Sequence, residues 1–132
     1  MTDSAPASRP APSAPARFAA LGDVEPLSGG DGVALRVVSG TDVMLSHVTL
    51  EPHAVAAVHV HEEEQMGLVI AGSILFSLDG VERELGPHDV FVAPPWVPHG
   101  GVAGPDGCTI VDLFSPPRAA FVAQLAEREA RS

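Results

Sequence analysis

Four side chains of the sequence could together hold a metal ion. His59 and His61 are two residues apart, and side chains at positions i and i+2 of a strand leave the same face. Gln65 follows a short acidic turn and can fold back beside them, and His99 comes much later, after a proline-rich turn. Three imidazoles and one oxygen donor leave open positions on an octahedral ion. The pattern predicts a divalent metal and does not choose among Fe, Mn, Ni, Zn and Co.

A second group of residues lies in and after the predicted last strand, 108–114. Asp112 and Phe114 share one face of this strand, among apolar neighbours. Desolvation there would raise the pKa of Asp112 and suit its carboxyl group to acid–base work. Arg118 follows the strand closely, and its planar guanidinium can hold a carboxylate with two hydrogen bonds. The alternative is an Asp112–Arg118 ion pair that only closes the strand onto the next element.

Short strands separated by turns must position these groups. The dipeptide Asp79-Gly80 is typical of a two-residue hairpin turn. Alternating apolar segments between turn residues predict eight strands, at 33–39, 43–50, 54–61, 65–71, 74–78, 81–85, 89–93 and 108–114. With no helix between them, these strands indicate an all-β sandwich or barrel.

The end of the sequence has a different pattern. Phe121, Val122 and Leu125 form an apolar stripe at helical spacing. Ser115 could cap this helix, with the two prolines that follow it at the first helical positions. We therefore predict a short C-terminal helix after the last strand.

Composition excludes several classes of protein. The chain has 132 residues, enough for one domain, and 45% of them are hydrophobic. Its net charge of −10 argues against nucleic-acid binding, which needs basic patches. No apolar run approaches the roughly 18 residues that span a bilayer. The single cysteine, Cys108, fits a reducing compartment, so we expect a cytoplasmic protein.

The N-terminal segment differs from the rest of the chain. Residues 1–17 are rich in proline and alanine and carry no large apolar side chain after Met1. Such a segment buries too little surface to offset its ordering entropy, so we predict a disordered tail. It lacks the apolar stretch of a secretory signal. The folded domain is predicted to cover residues 18–132.

The two histidine-bearing stretches resemble the two motifs of the cupin family. Residues 59–72 resemble the first motif and residues 86–99 the second, with a short gap between them. The resemblance implies a double-stranded β-helix, or jelly roll, with the metal inside. It implies that the metal is held by His59, His61, Gln65 and His99.

The sequence departs from the cupin pattern at five positions, one of which is Ala103, where an asparagine is usual after the last histidine. Gln65 stands where a glutamate is usual, which leaves the ligand set without a charge to balance the ion. His53, His88 and Trp96 stand where glycines are usual. These three replacements bear on the geometry of loops rather than on the ligand set.

The segment from Asp112 to Arg118, taken with Gln65, resembles the KdgF-like subgroup of single-domain cupins. That subgroup opens the ring of 4,5-unsaturated uronates without a redox step. The resemblance implies that Asp112 transfers the proton, Phe114 shapes the pocket and Arg118 binds the substrate carboxylate. The metal would act as a Lewis acid, and the partner would be a small sugar acid.

Other functions fit the same residues. An iron-dependent dioxygenase, a redox-neutral cyclase or isomerase of secondary metabolism, and a non-catalytic small-molecule binder are the alternatives. We also expect a homodimer in which strands between residues 27 and 50 contribute to the interface. Of the remaining polar residues, His47 is predicted to face outward and the acidic run 62–64 to be a solvated loop.

Overall fold

The fold is two packed layers of antiparallel strands followed by one helix. The computed structural model describes residues 8–131. Within that range a 3₁₀ turn, Leu21–Asp23, precedes the first strand. The strands are β1 Leu27–Ser28, β2 Val33–Ser39, β3 Met44–Leu50, β4 Val55–His59, β5 Glu64–Leu78, β6 Val81–Leu85, β7 Val90–Ala93 and β8 His99–Ser115, and the helix is α1 Ala119–Arg131.

Two long strands, β5 and β8, belong to both layers. The first part of β5 pairs with the second part of β8, and β3 and β7 flank this pair in one layer. The second part of β5 pairs with the first part of β8, and β4 and β6 flank it in the other layer. Register shifts in β5 fall where the chain passes between layers. The prediction of an all-β jelly roll with a C-terminal helix is confirmed.

Strand β8 is longer than the sequence predicted. Prediction placed its start at Cys108, whereas it begins at His99 and runs through several glycines and Pro105. Such residues have low strand propensity, but here the backbone is held by pairing with β4 and β5 on either side. Likewise, segments 65–71 and 74–78 are one strand rather than two.

The cap predicted for the helix is wrong. Ser115 ends β8, and its hydroxyl donates a hydrogen bond to the carbonyl of Asp42. The helix begins only at Ala119, after both prolines, and the carbonyl of Arg118 accepts its first hydrogen bonds. The stripe interpretation holds for Phe121, which is buried, and for Leu125, which is partly buried against the core, while Val122 is exposed.

Alternate residues of the strands point between the layers and form the core. Met44, Val69 and Ile74 are among its most deeply buried apolar side chains. Five polar side chains are buried with them, and these are Ser46, Glu63, Gln65, His99 and Asp112. Gln65, His99 and Asp112 therefore lie inside the jelly roll, whereas His59, His61 and Arg118 are half-buried.

The three residues that stand in place of the usual glycines keep the backbone conformation that glycine favours. His53, His88 and Trp96 have φ angles of 64°, 75° and 67°, in the left-handed region that glycine favours. The loops therefore retain a positive φ at all three positions, and the side chains there bear the conformational cost.

The N-terminal segment lies outside the strands. Residues 1–7 of the predicted tail are outside the described residues, and residues 8–20 are exposed. Arg17 donates a hydrogen bond to the carbonyl of Ser39, so the end of the predicted tail contacts β2. No helix among residues 8–131 is long and apolar enough to cross a membrane.

Candidate metal centre

Three histidines converge at one end of the space between the layers. His59 ends β4, His99 begins β8, and the two are cross-strand partners. His61 lies two residues after the end of β4, although the sequence predicted a strand that extends to it. Ligand atoms of the three imidazoles all lie within 4.8 Å of one another, a spacing that fits one metal ion.

Backbone carbonyls orient all three rings. In each histidine, Nδ1 lies 2.8–2.9 Å from a carbonyl oxygen two residues away in the chain. Because a carbonyl only accepts, each Nδ1 carries the proton and each Nε2 is left with a lone pair. Metal-binding histidines in proteins commonly have this arrangement, in which one ring nitrogen donates to a protein oxygen and the other is free for the ion.

Gln65 places an oxygen against two of these lone pairs. Its Oε1 lies 3.0 Å from Nε2 of His61 and 2.9 Å from Nε2 of His99. Nδ1 of His61 and Nδ1 of His99 already carry the ring protons. The two Nε2 atoms and Oε1 of Gln65 that face one another are therefore all acceptors, and no proton lies between them. A cation among them removes this repulsion, so the residues present fit a divalent metal ion.

Burial keeps two of the imidazoles neutral. Desolvation lowers the pKa of His99 to about 4, although the hydrogen bond to Val97 acts in the opposite direction. Burial likewise lowers the pKa of His59. Neutral imidazole is the form that binds metal, so these two ligands need not lose a proton first.

Asp112 lies beside the ligands, on β8. It is 9% exposed, faces Ser46 of β3 and Gly67 of β5 in the sheet register, and hydrogen-bonds the side chain of Gln65. Burial raises the pKa of Asp112 to about 7, against the hydrogen bond from Gln65 and the charge of Arg118, which lower it. Its Oδ1 has no hydrogen-bond partner among residues 8–131.

Gly67 makes room for this carboxyl group. A Cβ at Gly67 would lie 2.7 Å from Oδ1 of Asp112 and would overlap the ring of Phe91. Only a residue without a side chain fits there.

Arg118 lies at the junction between β8 and α1. Its guanidinium carbon is 4.4 Å from the ring centre of Phe121 and 5.8 Å from that of Phe114. Its Nε is buried and has no hydrogen-bond partner in the described part of the chain. The charges of Arg118 and Asp112 attract each other, but no ion pair within 4.0 Å joins their side chains among residues 8–131.

These groups line a cavity of about 390 Å³. His59, Gln65 and His99 form one part of its wall, and most of the rest is apolar, including Phe114. The unpartnered atoms of Asp112 and Arg118 and the unpartnered hydroxyl of Ser46 all belong to its lining. The cavity therefore offers a bound molecule the guanidinium of Arg118, the carboxyl group of Asp112 and the unpartnered hydroxyl of Ser46.

Sequence reasoning missed Ser46 and misjudged Glu63. Ser46 is fully buried, and its signal was its alternation with the inward-facing Met44 and Val48. Glu63 was predicted to lie in a solvated loop but is 7% exposed. Its signal was its spacing of two residues from both His61 and Gln65. His47 does lie on the outer face of β3, where it is half-buried.

Glu63 remains charged in spite of its burial. Desolvation acts to raise its pKa, but hydrogen bonds from the amides of Ala119 and Glu63 and the charges of His61 and Arg118 lower it. The net shift is downward.

Comparison with known proteins agrees with this geometry. The family model of the cupin domain matches residues 46–114. The chain is 32% identical over 95 residues to the pectin degradation protein KdgF of Dickeya dadantii, covering 70% of this chain and 86% of that protein. It is 39% identical over 61 residues to an H2HPP isomerase of Bacillus subtilis, covering 46% of this chain and only 25% of that protein.

A solved structure gives the same result. KdgF from Halomonas sp. superposes with a TM-score of 0.75 at 31% identity, over 81% of this chain and 99% of that one. The chain therefore belongs to the cupin family, resembles the KdgF-like subgroup, and has relatives that include named enzymes.

Proposed function

We propose that this cupin is a metal-dependent isomerase of a small carboxylate substrate, and that it opens the ring of 4,5-unsaturated uronates. One observation carries the proposal. The cavity brings together a metal-ligand set, the carboxyl group of Asp112 and the guanidinium of Arg118, and the last two present buried atoms without partners. Similarity to KdgF supports the choice of uronates.

The ligands of the metal are His59, His61, Gln65 and His99. When bound, the ion supplies Lewis-acid stabilisation of negative charge on substrate oxygens. The ligand set is neutral, so it does not reduce the charge of the ion. The ion belongs to the group Fe, Mn, Ni, Zn and Co.

Arg118 binds the substrate carboxylate. Its Nε is free to donate, and the rings of Phe114 and Phe121 restrict where the guanidinium can point. The net charge of the chain is −10, which does not attract an anion, so the positive charge of Arg118 must act locally. Phe114 forms the wall against which the sugar ring packs.

Asp112 moves the proton. It is the only carboxylic acid among the cavity-lining residues that the structure describes. In ring opening, the bond between the anomeric carbon and the ring oxygen breaks, and the anomeric hydroxyl loses its proton to Asp112. The enol carbon C4 gains a proton from the same group as C5 becomes a ketone, so the molecular formula is unchanged.

The test is turnover of unsaturated galacturonate and guluronate by protein loaded separately with each of the five metals. We expect loss of ultraviolet absorbance from the conjugated double bond, and no turnover by His59→Ala. Metal binding without turnover would reject the uronate reaction. Consumption of dioxygen by the iron form with a diol or diketone would instead favour the dioxygenase alternative.

The H2HPP isomerase relative favours a second candidate function. That relative is named as an isomerase, and it is 39% identical to this chain over 61 residues. A redox-neutral isomerisation of another carboxylate would use the same Asp112 and Arg118. Activity on other unsaturated carboxylates, with none on uronates, would support it.

We also propose a cytoplasmic homodimer. The outer face of the sheet that contains β5 exposes Met66, Leu68, Ile70 and Leu113, each at 37–46% of its surface. Neighbouring apolar side chains on a sheet face are a common interface. Strands β2 and β3 lie in the same sheet, in keeping with the predicted contribution of residues 27–50. Light scattering that gives a monomer, or no effect of Leu68→Glu on the dimer, would reject this interface.

A further inference from the structure

The carboxylate of Glu63 is buried between two exposed neighbours. Glu63 is 7% exposed, whereas Glu62 and Glu64 are both exposed. A buried carboxylate is costly unless charges or hydrogen bonds compensate it. The cost of burying the Glu63 carboxylate is offset by groups on two sides, which belong to the metal centre and to helix α1.

Toward the metal centre, Glu63 contacts His61 twice. Its backbone oxygen accepts the Nδ1 proton of His61 at 2.9 Å, which leaves Nε2 for the ion. Its carboxylate Oε1 lies 3.6 Å from the same Nδ1, with both side chains 9% exposed. A negative charge at this distance makes the imidazole a stronger donor to a metal. It also adds the charge that the neutral ligand set lacks.

Toward the helix, Glu63 holds the first residue of α1. Its Oε2 accepts a hydrogen bond of 2.8 Å from the amide of Ala119, the residue after Arg118. A carboxylate at a helix N-terminus satisfies a free amide and interacts favourably with the helix dipole. The charges of Glu63 and Arg118 also attract each other. Since this bond joins residues 56 positions apart, it fixes Arg118 relative to the histidines.

We propose that Glu63 is a positioning residue that couples the metal centre to the carboxylate-binding Arg118. The part that concerns Arg118 rests on the proposed function. Through its carboxylate, Glu63 strengthens His61 as a ligand and sets where α1 begins. One side chain thereby fixes the distance between the two ends of the substrate site.

Three variants separate the two effects. Glu63→Gln removes the charge but keeps an oxygen that can accept from Ala119, whereas Glu63→Ala removes both. Glu62→Gln is the matched control, because it deletes a charge from the adjacent exposed residue. Two measurements need no substrate. Titration with Co²⁺ reports metal affinity and, by visible absorption, ligand geometry, and amide hydrogen exchange reports the first turn of α1.

We expect Glu63→Gln to bind Co²⁺ about tenfold to a hundredfold more weakly, with a changed visible spectrum and helix exchange like the wild type. We expect Glu63→Ala to show the same loss of affinity and faster exchange at Ala119. Glu62→Gln should behave as the wild type does.

Wild-type Co²⁺ affinity and spectrum in Glu63→Gln would overturn the role toward His61. Unchanged exchange at Ala119 in folded Glu63→Ala would overturn the role toward the helix. If Glu63→Ala does not fold, Glu63→Gln still decides the first role, and Glu63→Leu, which keeps side-chain volume, takes its place for the second. Failure of the uronate assay leaves these readouts unaffected, so the two proposals fail separately.

Discussion

Gln65 and Asp112, which both line the cavity, are joined by a side-chain hydrogen bond. The oxygen of the Gln65 amide faces the histidines, so its nitrogen is left to donate to the carboxyl group. A glutamate at position 65 has no such donor and would set a second carboxylate against Asp112. The amide therefore lets the proposed ligand oxygen and the proposed proton-transfer group lie side by side.

The first prediction follows from this contact. We expect Gln65→Glu to bind the metal more tightly, because a charged oxygen replaces a neutral one. We expect it to turn over uronate more slowly, because Asp112 loses its donor and gains a negative neighbour. Co²⁺ titration and initial rates measure the two effects. Tighter binding with unchanged rates would show that the amide has no role beyond ligation.

The second prediction concerns Asp112 itself. Asp112→Asn has nearly the same shape but transfers no proton, so we expect kcat to fall by about 10²–10⁴-fold. Metal content should stay at the wild-type level, since Asp112 is outside the ligand set. Asp106→Asn is the control, because Asp106 is exposed. If turnover survives in Asp112→Asn, another group moves the proton.

The third prediction tests the planar guanidinium of Arg118 and its pair of N–H donors. Arg118→Lys keeps the charge but loses the planar pair of donors, so we expect KM for the uronate to rise about tenfold or more. The value of kcat should change less. Arg83→Lys, at an exposed position on β6, serves as the control. Equal KM values in the wild type and Arg118→Lys would mean that the carboxylate binds elsewhere.

The fourth prediction concerns the strained loops. Trp96 has φ 67° and is 63% exposed, so replacing it loses little packing. We expect Trp96→Gly to be more stable than Trp96→Ala by about 1 kcal/mol, since both remove the ring and only glycine relieves the backbone. The same comparison at His88, whose φ is 75°, should agree. Urea denaturation measures both pairs, and alanine variants as stable as the glycine ones would show that these loops are unstrained.

The fifth prediction uses the buried thiol of Cys108. Burial, with a smaller effect from the charge of Asp112, raises its pKa from 9.0 to about 11. The unfolded chain therefore ionises this thiol first, and stability should fall by up to about 2–3 kcal/mol between pH 9 and 11. The chain contains no tyrosine, so no phenol titrates in this window.

Urea denaturation from pH 8 to 11 tests this thiol prediction. Cys108→Ala removes the group, and its stability should change less across the window than that of the wild type. Parallel pH profiles would mean that the thiol ionises equally well in the folded protein.

The sequence by itself predicted the types and order of the residues proposed as metal ligands. The spacing of His59 and His61 is a local property, since alternation along a strand places both on one face. Gln65 and His99 follow this pair in the order of two cupin motifs, and that resemblance implied the full ligand set and the jelly roll. Alternation also predicted most strand segments, because each must cover a core on one side only.

Tertiary structure decided what surrounds those ligands. In the sequence, Glu63 is one of three consecutive acidic residues in a predicted loop. Its burial depends on a hydrogen bond from the amide of Ala119, 56 positions later. Strand β8 extends through glycines because β4 and β5 hold its backbone, and Ser46 faces Asp112 only through the pairing of β3 with β8. Contacts between distant segments depend on packing and register, which local residue patterns do not encode. The outer contacts of the metal site were therefore beyond the reach of the sequence alone.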